Sequence, residues 1–313
     1  MGLPYFEVRG NGKLLITGEY FVLDGALAFA LPCTFGQRFE ATPIEERVIR
    51  WKSFLHDGKV WIDTSFSLPF GDDSNDSTPE ETRLLQLFRA IEQLNSTFFT
   101  DGGFEVETHL EFPRNWGLGS SSTLVYCLAR WSKVDPYKLL RLTFKGSGYD
   151  IACAHARDPI VYHREGQGGL SHPVDFAPEF ADQLFFVHLN QKQDSREGIK
   201  LYRETIKLAG HLIDEVTQLT HRAYESKTLS EFMTVLDEHE ELVSQNLGLR
   251  RVQERLFSDF SGVLKSLGAW GGDFVLAASE QTSETIRSYF EERGYSTVFG
   301  YQEMKFQKIR KSL

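Results

Sequence analysis

Between Pro113 and Ser122 the chain reads PRNWGLGSSS, a stretch that concentrates residue types able to hold phosphate. Gly117 and Gly119 let the backbone turn tightly and approach a ligand, because no Cβ stands in the way. Ser120, Ser121 and Ser122 then open an apolar run, Leu124, Val125, Leu128 and Ala129, spaced for one helix face. Free N–H groups, hydroxyls and the positive end of a helix dipole would converge at that start. Pro113, Gly117, Leu118, Gly119, Ser120, Ser121 and Ser122 are therefore a candidate phosphate cradle and point to a nucleotide-dependent enzyme. Taken alone, a glycine pair before a helix is also an ordinary tight turn. No Gly-x-x-x-x-Gly-Lys-Ser/Thr loop occurs, since Gly12-Lys13 is followed by Leu14, and the third glycine of a dinucleotide fingerprint is lacking.

The elements that must carry this loop are legible on both sides of it. Up to Asp63, short β-type runs alternate with turns: Lys13 to Thr17, Ala28 to Phe29, Arg38 to Thr42, Val48 to Trp51 and Val60 to Asp63. Thr78-Pro79-Glu80-Glu81 reads as an N-cap, a proline at the first helical position and a capping-box glutamate. The helix after it carries Leu84, Leu85, Phe88, Ile91 and Leu94 on one side. Asp101-Gly102-Gly103 turns the chain into an alternating strand through Phe104, Val106, Thr108 and Leu110. Gly166 to Pro178, rich in glycine, proline and polar residues, marks a join between halves. Leu184 to Leu189 then reads as a strand. Leu201, Thr205, Leu208, Leu212, Val216 and Leu219 form one helical stripe; Leu229, Phe232, Leu236, Val243 and Leu247 form another. Phe274 to Ala278, Gln281 to Glu292 and Ser296 to Tyr301 make a closing β-α-β unit. A strand-rich first half and a helix-rich second half predict an α+β fold, not a doubly wound parallel sheet, with domains at 1–175 and 176–313.

Composition narrows the function classes. The 313 residues are 41% hydrophobic, enough for one large domain or two packed halves. A net charge of −10 and the absence of a Lys/Arg-rich block argue against a nucleic-acid binder; the tail Lys305, Lys308, Arg310, Lys311 is short and local. Cys33, Cys127 and Cys153 lack CxxC spacing and sit in apolar segments, as buried thiols of a reducing compartment do. Met1 to Gly12 lacks a basic start and an apolar core, and no apolar run approaches the roughly 20 residues that span a bilayer. A cytoplasmic protein with no membrane and no nucleic-acid partner is expected. The histidines, His155 and His163 included, show no metal-ligand spacing, and no Gly-x-Ser-x-Gly elbow of a serine hydrolase occurs.

Four segments, in order, resemble the motifs of the GHMP kinases, the superfamily of galactokinase, homoserine kinase, mevalonate kinase and phosphomevalonate kinase. Pro113-x-x-x-Gly117-Leu118-Gly119-Ser120-Ser121 is similar to their phosphate loop, and Gly12-Lys13-Leu14-Leu15-Ile16-Thr17-Gly18-Glu19-Tyr20 to their N-terminal motif. Gly146-Ser147-Gly148-Tyr149-Asp150-Ile151-Ala152 resembles the segment with their catalytic aspartate, and Gly268 to Phe274 their C-terminal glycine-rich motif. Read alone, Lys13 is a charge at a strand end, Glu19-Tyr20 a strand edge, and Asp150 an N-cap for a helix from Ile151 to Arg157. The resemblance implies a two-lobed α+β fold with a ferredoxin-like C-terminal half, ATP and Mg2+ as cofactors, and Lys13 and Asp150 as catalytic residues. Asp150 would orient the attacking alcohol and accept its proton late, and Lys13 would stabilise charge near the transferring phosphate. Ser121 would serve the metal. Glu19, Tyr20, Ser147, Lys192, Gly271 and Gly272 would line the small-molecule substrate.

Two departures from the family pattern stand out. Trp270 replaces a usual glycine, and Tyr137 to Phe144 carries no acid where several members place a magnesium-binding glutamate. Within the superfamily, Glu19-Tyr20, Asp150-Ile151-Ala152 and Gly271-Gly272-Asp273 resemble phosphomevalonate kinase most, and Asn190 to Ser195 falls where that enzyme has a loop with a lysine, here Lys192. The expected function is transfer of the γ-phosphate of ATP to a hydroxyl or phosphate of a mevalonate-pathway intermediate, phosphomevalonate first. Mevalonate kinase, mevalonate diphosphate decarboxylation and a non-catalytic nucleotide- or metabolite-binding homologue are the alternatives. A homodimer is compatible with this reading.

Overall fold

Thr78 Oγ1 accepts the Glu81 N–H at 3.2 Å while Glu81 Oε2 accepts the Thr78 N–H at 2.8 Å, so the capping box read from the sequence forms in full. It starts one of the elements of a computed structural model that describes residues 4–71, 77–166, 168–191, 195–206, 210–270 and 273–307. In chain order the first are β1 (Phe6–Thr17), a 3-10 turn (Phe21–Asp24), β2 (Ala28–Ile44), β3 (Val48–Phe54) and β4 (Val60–Ser67). Next come α1 (Pro79–Leu94), β5 (Gly103–Leu110), α2 (Ser120–Ser132), α3 (Pro136–Thr143) and α4 (Tyr149–His155). The hairpin β6 (Ile160–Glu165) and β7 (Gly168–Pro173) precedes β8 (Leu184–His188), α5 (Ser195–Thr205), α6 (Gly210–Glu225) and α7 (Leu229–Leu247). The chain closes with α8 (Val252–Leu256), β9 (Val263–Ser266), β10 (Phe274–Ala278), α9 (Ser283–Glu291), β11 (Val298–Gly300) and α10 (Tyr301–Met304).

Two compact units take their residues from alternating stretches of this chain. The first comprises Met1–Gly12, Phe35–Arg114 and Leu118–His155; the second comprises Lys13–Thr34, Asn115–Gly117 and Ala156–Leu313.

In the first unit the strands run in the order β4-β3-β5-β2, with β3 and β5 parallel and the other neighbours antiparallel. Helices α1, α2 and α3 supply apolar faces to this sheet, and the core between them is aromatic. The Trp131 ring meets Phe98, Phe104 and Phe39 at centroid distances of 4.9, 4.8 and 5.4 Å, the first two edge-on, as ring quadrupoles prefer. Trp51, also in this core, places its Nε1–H on Ser53 Oγ at 2.8 Å, so its one polar atom is not stranded.

In the second unit β8, β9, β10 and β11 form an antiparallel sheet in the order β11-β8-β10-β9. Numbered by appearance that order is 4-1-3-2, the arrangement of a ferredoxin-like layer, with α5, α6, α7 and α8 between its first two strands. The N-terminal residues Ala28–Ala30 of β2 pair with β6, and β6 with β7.

Several boundaries differ from the sequence reading. The runs at Ala28 and Arg38 are parts of one strand, β2. The stretch Gly166 to Pro178 contains β7, because glycines and prolines there sit in a hairpin edge rather than a linker. The stripe from Leu201 to Leu219 is divided between α5 and α6. Cys33, Cys127 and Cys153 form no disulfide and have no exposure. Among the described residues no helix is long and apolar enough to cross a membrane.

Candidate active site

In the first unit the glycine-rich loop leads directly into α2. Gly119 precedes the helix with φ +90°, a left-handed conformation that costs glycine little and a side-chain-bearing residue more. The helix therefore begins on a bare backbone, with no side-chain cap, and the N–H groups of Ser120, Ser121 and Ser122 occupy the first turn, where an α-helix offers no acceptor. Ser121 is exposed and Ser120 half-buried. Ser122 is buried and donates its hydroxyl to Gly119 O at 2.8 Å, which leaves its N–H as the group it can offer. Thr123 Oγ1 ties the turn to Gln37 Oε1 at 2.8 Å. Leu118 is fully buried and lies beside Gly12, where an added Cβ would come within 3.1 Å of the Leu118 carbonyl. Lys13 is the next residue along the chain, half-buried in β1.

Asp150 lies in the same unit, on α4, which packs against α2 through an apolar contact that includes Ile151, Ala154, Val125 and Leu128. It is not the N-cap expected from the sequence. The helix starts two residues earlier, at Tyr149, after Lys145, Gly146 and Gly148 at φ +64°, +113° and +96°, and the Ile151 and Ala152 N–H groups bond back to Gly148 O. Asp150 thereby falls in the first turn, where the helix dipole favours a carboxylate. Ser147, in the preceding loop, is 8% exposed.

The second unit holds the start of the loop and the Glu19-Tyr20 turn. Gly117 has φ +65°, and a Cβ there would lie 2.0 Å from Asp273 Oδ2, so both its conformation and its neighbour demand glycine. His188 anchors the same segment. A carbonyl can only accept and a backbone N–H only donate, so His188 Nε2–H donates to Asn115 O at 3.2 Å while Nδ1 accepts the Asn190 N–H at 3.3 Å. Burial holds this imidazole below its usual pKa, against the bond to Asn115 and the charge of Asp273. Trp116 wedges edge-on between Phe274 and Phe299, at 5.9 and 5.4 Å.

Glu19 has no solvent exposure, and its Oε1 accepts from Lys265 Nζ at 2.5 Å. Tyr20 adopts φ +62°, accepts the Trp270 N–H at its phenol oxygen at 3.0 Å, and stacks on Tyr202 at 5.8 Å. Trp270 is 6% exposed, and its Nε1 is buried without a hydrogen-bond partner. Burial pushes the Tyr20 phenol up to about 12, against the Trp270 hydrogen bond. Lys192, Gly271 and Gly272 lie outside the described residues.

Sequence reasoning named the loop, Asp150, Glu19 and Tyr20 but missed Lys265, His239, Glu240 and His188. A signal existed for three of them. Lys265 interrupts the apolar run Val263 to Leu267, and His239-Glu240 fills the gap between Leu236 and Val243 on the apolar face of α7. Among the described residues no group of three or more His, Cys, Asp or Glu side chains could hold a metal ion.

No protein-family model matches the chain, and no curated protein matches it. Solved structures do. A mevalonate kinase from Methanococcus jannaschii superposes with a TM-score of 0.72 at 15% identity, covering 97% of this chain and 99% of that one. A Streptococcus pneumoniae phosphomevalonate kinase, solved with phosphomevalonate and AMPPNP, gives 0.71 at 17% identity over 94% and 99%. A Lactococcus lactis galactokinase, solved with galactose, gives 0.66 at 14% over 96% and 93%. Likeness over whole chains at such identities is likeness of architecture: this chain has the fold of the GHMP kinases.

Proposed function

We propose that the chain is an ATP-dependent kinase that moves the γ-phosphate of ATP to a hydroxyl or phosphate oxygen of a mevalonate-pathway intermediate, with phosphomevalonate as the first candidate. The observation that supports this reading best is the pair of packed helices α2 and α4. One begins at a bare left-handed glycine with free first-turn N–H groups, and the other presents Asp150 in its first turn. Backbone donors fixed in advance cost no reorganisation as charge builds on the transferring phosphate.

In this reading Gly117, Leu118, Gly119, Ser120, Ser121 and Ser122 cradle the triphosphate, with Pro113 setting the approach of the loop. Asp150 orients the acceptor oxygen. As that oxygen bonds to Pγ and the bond from Pγ to the leaving ADP oxygen breaks, an alcohol passes its proton to Asp150. Lys13 balances charge on the γ-phosphate. Ser147, Glu19, Tyr20, Lys192, Gly271 and Gly272 belong to the acceptor side. The donor set fits a magnesium ion held mainly by nucleotide oxygens and water, for which the exposed Ser121 hydroxyl is one adequate ligand; the ion would neutralise phosphate charge.

The test is a screen of alcohols and phosphoalcohols with ATP and magnesium, scored by ADP release. Turnover with phosphomevalonate above mevalonate supports the reading, and the reverse order makes the chain a mevalonate kinase. ADP and carbon dioxide from mevalonate diphosphate would make it a decarboxylase. Nucleotide binding with no turnover on any acceptor would overturn the enzyme assignment in favour of a non-catalytic homologue.

A further inference from the structure

Glu19 stands at a position read as facing the acceptor, yet its carboxylate is sealed in the interior of the second unit. Lys265 Nζ donates to Glu19 Oε1 at 2.5 Å and to Ser266 O at 2.9 Å. Ser266 in turn donates its N–H and hydroxyl to Glu240 Oε2 and Oε1, at 3.1 and 2.9 Å. His239, beside Glu240 on α7, accepts the Gly18 N–H at Nε2 at 2.9 Å. That nitrogen therefore carries no proton, and its 3.5 Å approach to Glu19 Oε2 is a contact between a neutral ring and a carboxylate. Glu19, Lys265, His239 and Glu240 have no exposure and Ser266 has 1%. Two elements thus meet on one short turn, the chain from Gly18 to Tyr20: β9 through Lys265 and α7 through His239.

What the turn does explains why it is held so firmly. Tyr20 takes a left-handed backbone conformation, which a bulky side chain keeps only where its surroundings over-determine it. Here the residue before it is fixed by a buried ion pair and Gly18 by His239, while the phenol of Tyr20 is fixed by the Trp270 N–H. A well-packed apolar pair of similar volume would commonly match or exceed a buried ion pair in stability. The direction of the Lys265–Glu19 bond, rather than its contribution to folding, is the property that an apolar pair lacks.

We infer that Lys265 is a positioning residue: by holding the buried Glu19 carboxylate it fixes the Gly18–Tyr20 turn and so sets the placement of Tyr20 for the acceptor. The part concerning the acceptor rests on the functional reading above; the part concerning Tyr20 does not. Glu19 then acts through Tyr20 and does not touch substrate.

The test uses the full chain with 3-fluorotyrosine at position 20 and compares wild type with Glu19→Gln/Lys265→Met. Lys265→Met alone would strand a buried carboxylate, whereas the double variant removes both charges together and keeps the volume. Without ligand, the 19F resonance is expected to shift and broaden in the double variant as the Trp270 contact and the Tyr202 stacking loosen. With ATP and the acceptor found by the screen, the acceptor KM should rise about tenfold while the ATP KM stays within about twofold. An unchanged fluorine resonance, or an equal rise in both KM values, overturns the inference. If wild type turns over no acceptor, the functional reading falls, and the fluorine resonance alone decides the role of Lys265.

Discussion

Asp150 owes its setting to two neighbours of little chemistry, Gly146 and Gly148, whose left-handed angles let α4 start at Tyr149. Asparagine at 150 keeps the shape but cannot take a proton. With an alcohol acceptor, Asp150→Asn should lower kcat by about 10²–10⁴ while the urea midpoint stays put. With a phosphate acceptor no proton need move, so the loss should be smaller; ADP release with both acceptors reads the difference. Glu240 carries a second expectation. Burial raises its carboxyl to about 7 against the pull of Lys265 and the Ser266 bonds, and Glu19 pushes it the same way. The folded state therefore binds this proton more tightly than the unfolded chain, whose ordinary value is 4.5. The resulting stability is complete below pH 4.5 and lost as pH rises through 7. Glu240→Gln should flatten the fall in unfolding free energy over that window by up to about 3 kcal/mol, measured by urea titration at stepped pH. An unchanged slope would place the titrating group elsewhere. Chemistry-bearing residue types were legible in the sequence, but the partner of Glu19 was not, because 246 positions separate it from Lys265 and only the fold closes that distance.

Elements whose signals are local were legible, and those whose signals are supplied by partners were not. The capping box of α1 lies within four residues, Thr78 to Glu81, so the sequence contains the whole interaction. Thr78→Ala should cost about 1 kcal/mol and leave turnover unchanged, as thermal melting and ADP release would show. Strand β2 is the opposite case. Pro32 and Gly36 break its pattern, yet they fall between the residues that pair with β6 and those that pair with β5, so the missing proline N–H leaves no gap in either ladder. The glycine-rich loop combines both situations: its glycines were visible, but the carboxylate of Asp273 against Gly117 was not. Gly117→Ala should lose about 1–3 kcal/mol from backbone strain and overlap, and should weaken ATP binding. Adding Asp273→Ala removes the overlap with the carboxylate but leaves the Asp273 Cβ position 2.7 Å away and the positive φ, so it should return only part of that loss in a urea titration.

At the scale of the molecule, α+β character followed from which stretches alternate and which repeat every third or fourth residue, and the ferredoxin-like second half from the resemblance to the GHMP kinases. What local reading cannot express is a compact unit assembled from separate stretches, as when Lys13–Thr34 joins Ala156–Leu313. A fragment beginning at Ala156 would lack the partner strand of β6 at Ala28–Ala30 and leave Lys265 without Glu19. Such a fragment should show no cooperative unfolding transition by circular dichroism, whereas the full chain should. The three sealed sulfurs allow that cooperativity to be followed without any added label. Cys127 and Cys153 belong to the first unit and Cys33 to the second, and burial raises the Cys33 and Cys127 thiols far above neutral pH. Alkylation under native conditions can then proceed only through opening of the surrounding core. Its rate at each cysteine, resolved by peptide mass, is a clock for each unit separately. Equal rates would mean that the chain opens as one body, and unequal rates would name the unit that opens first.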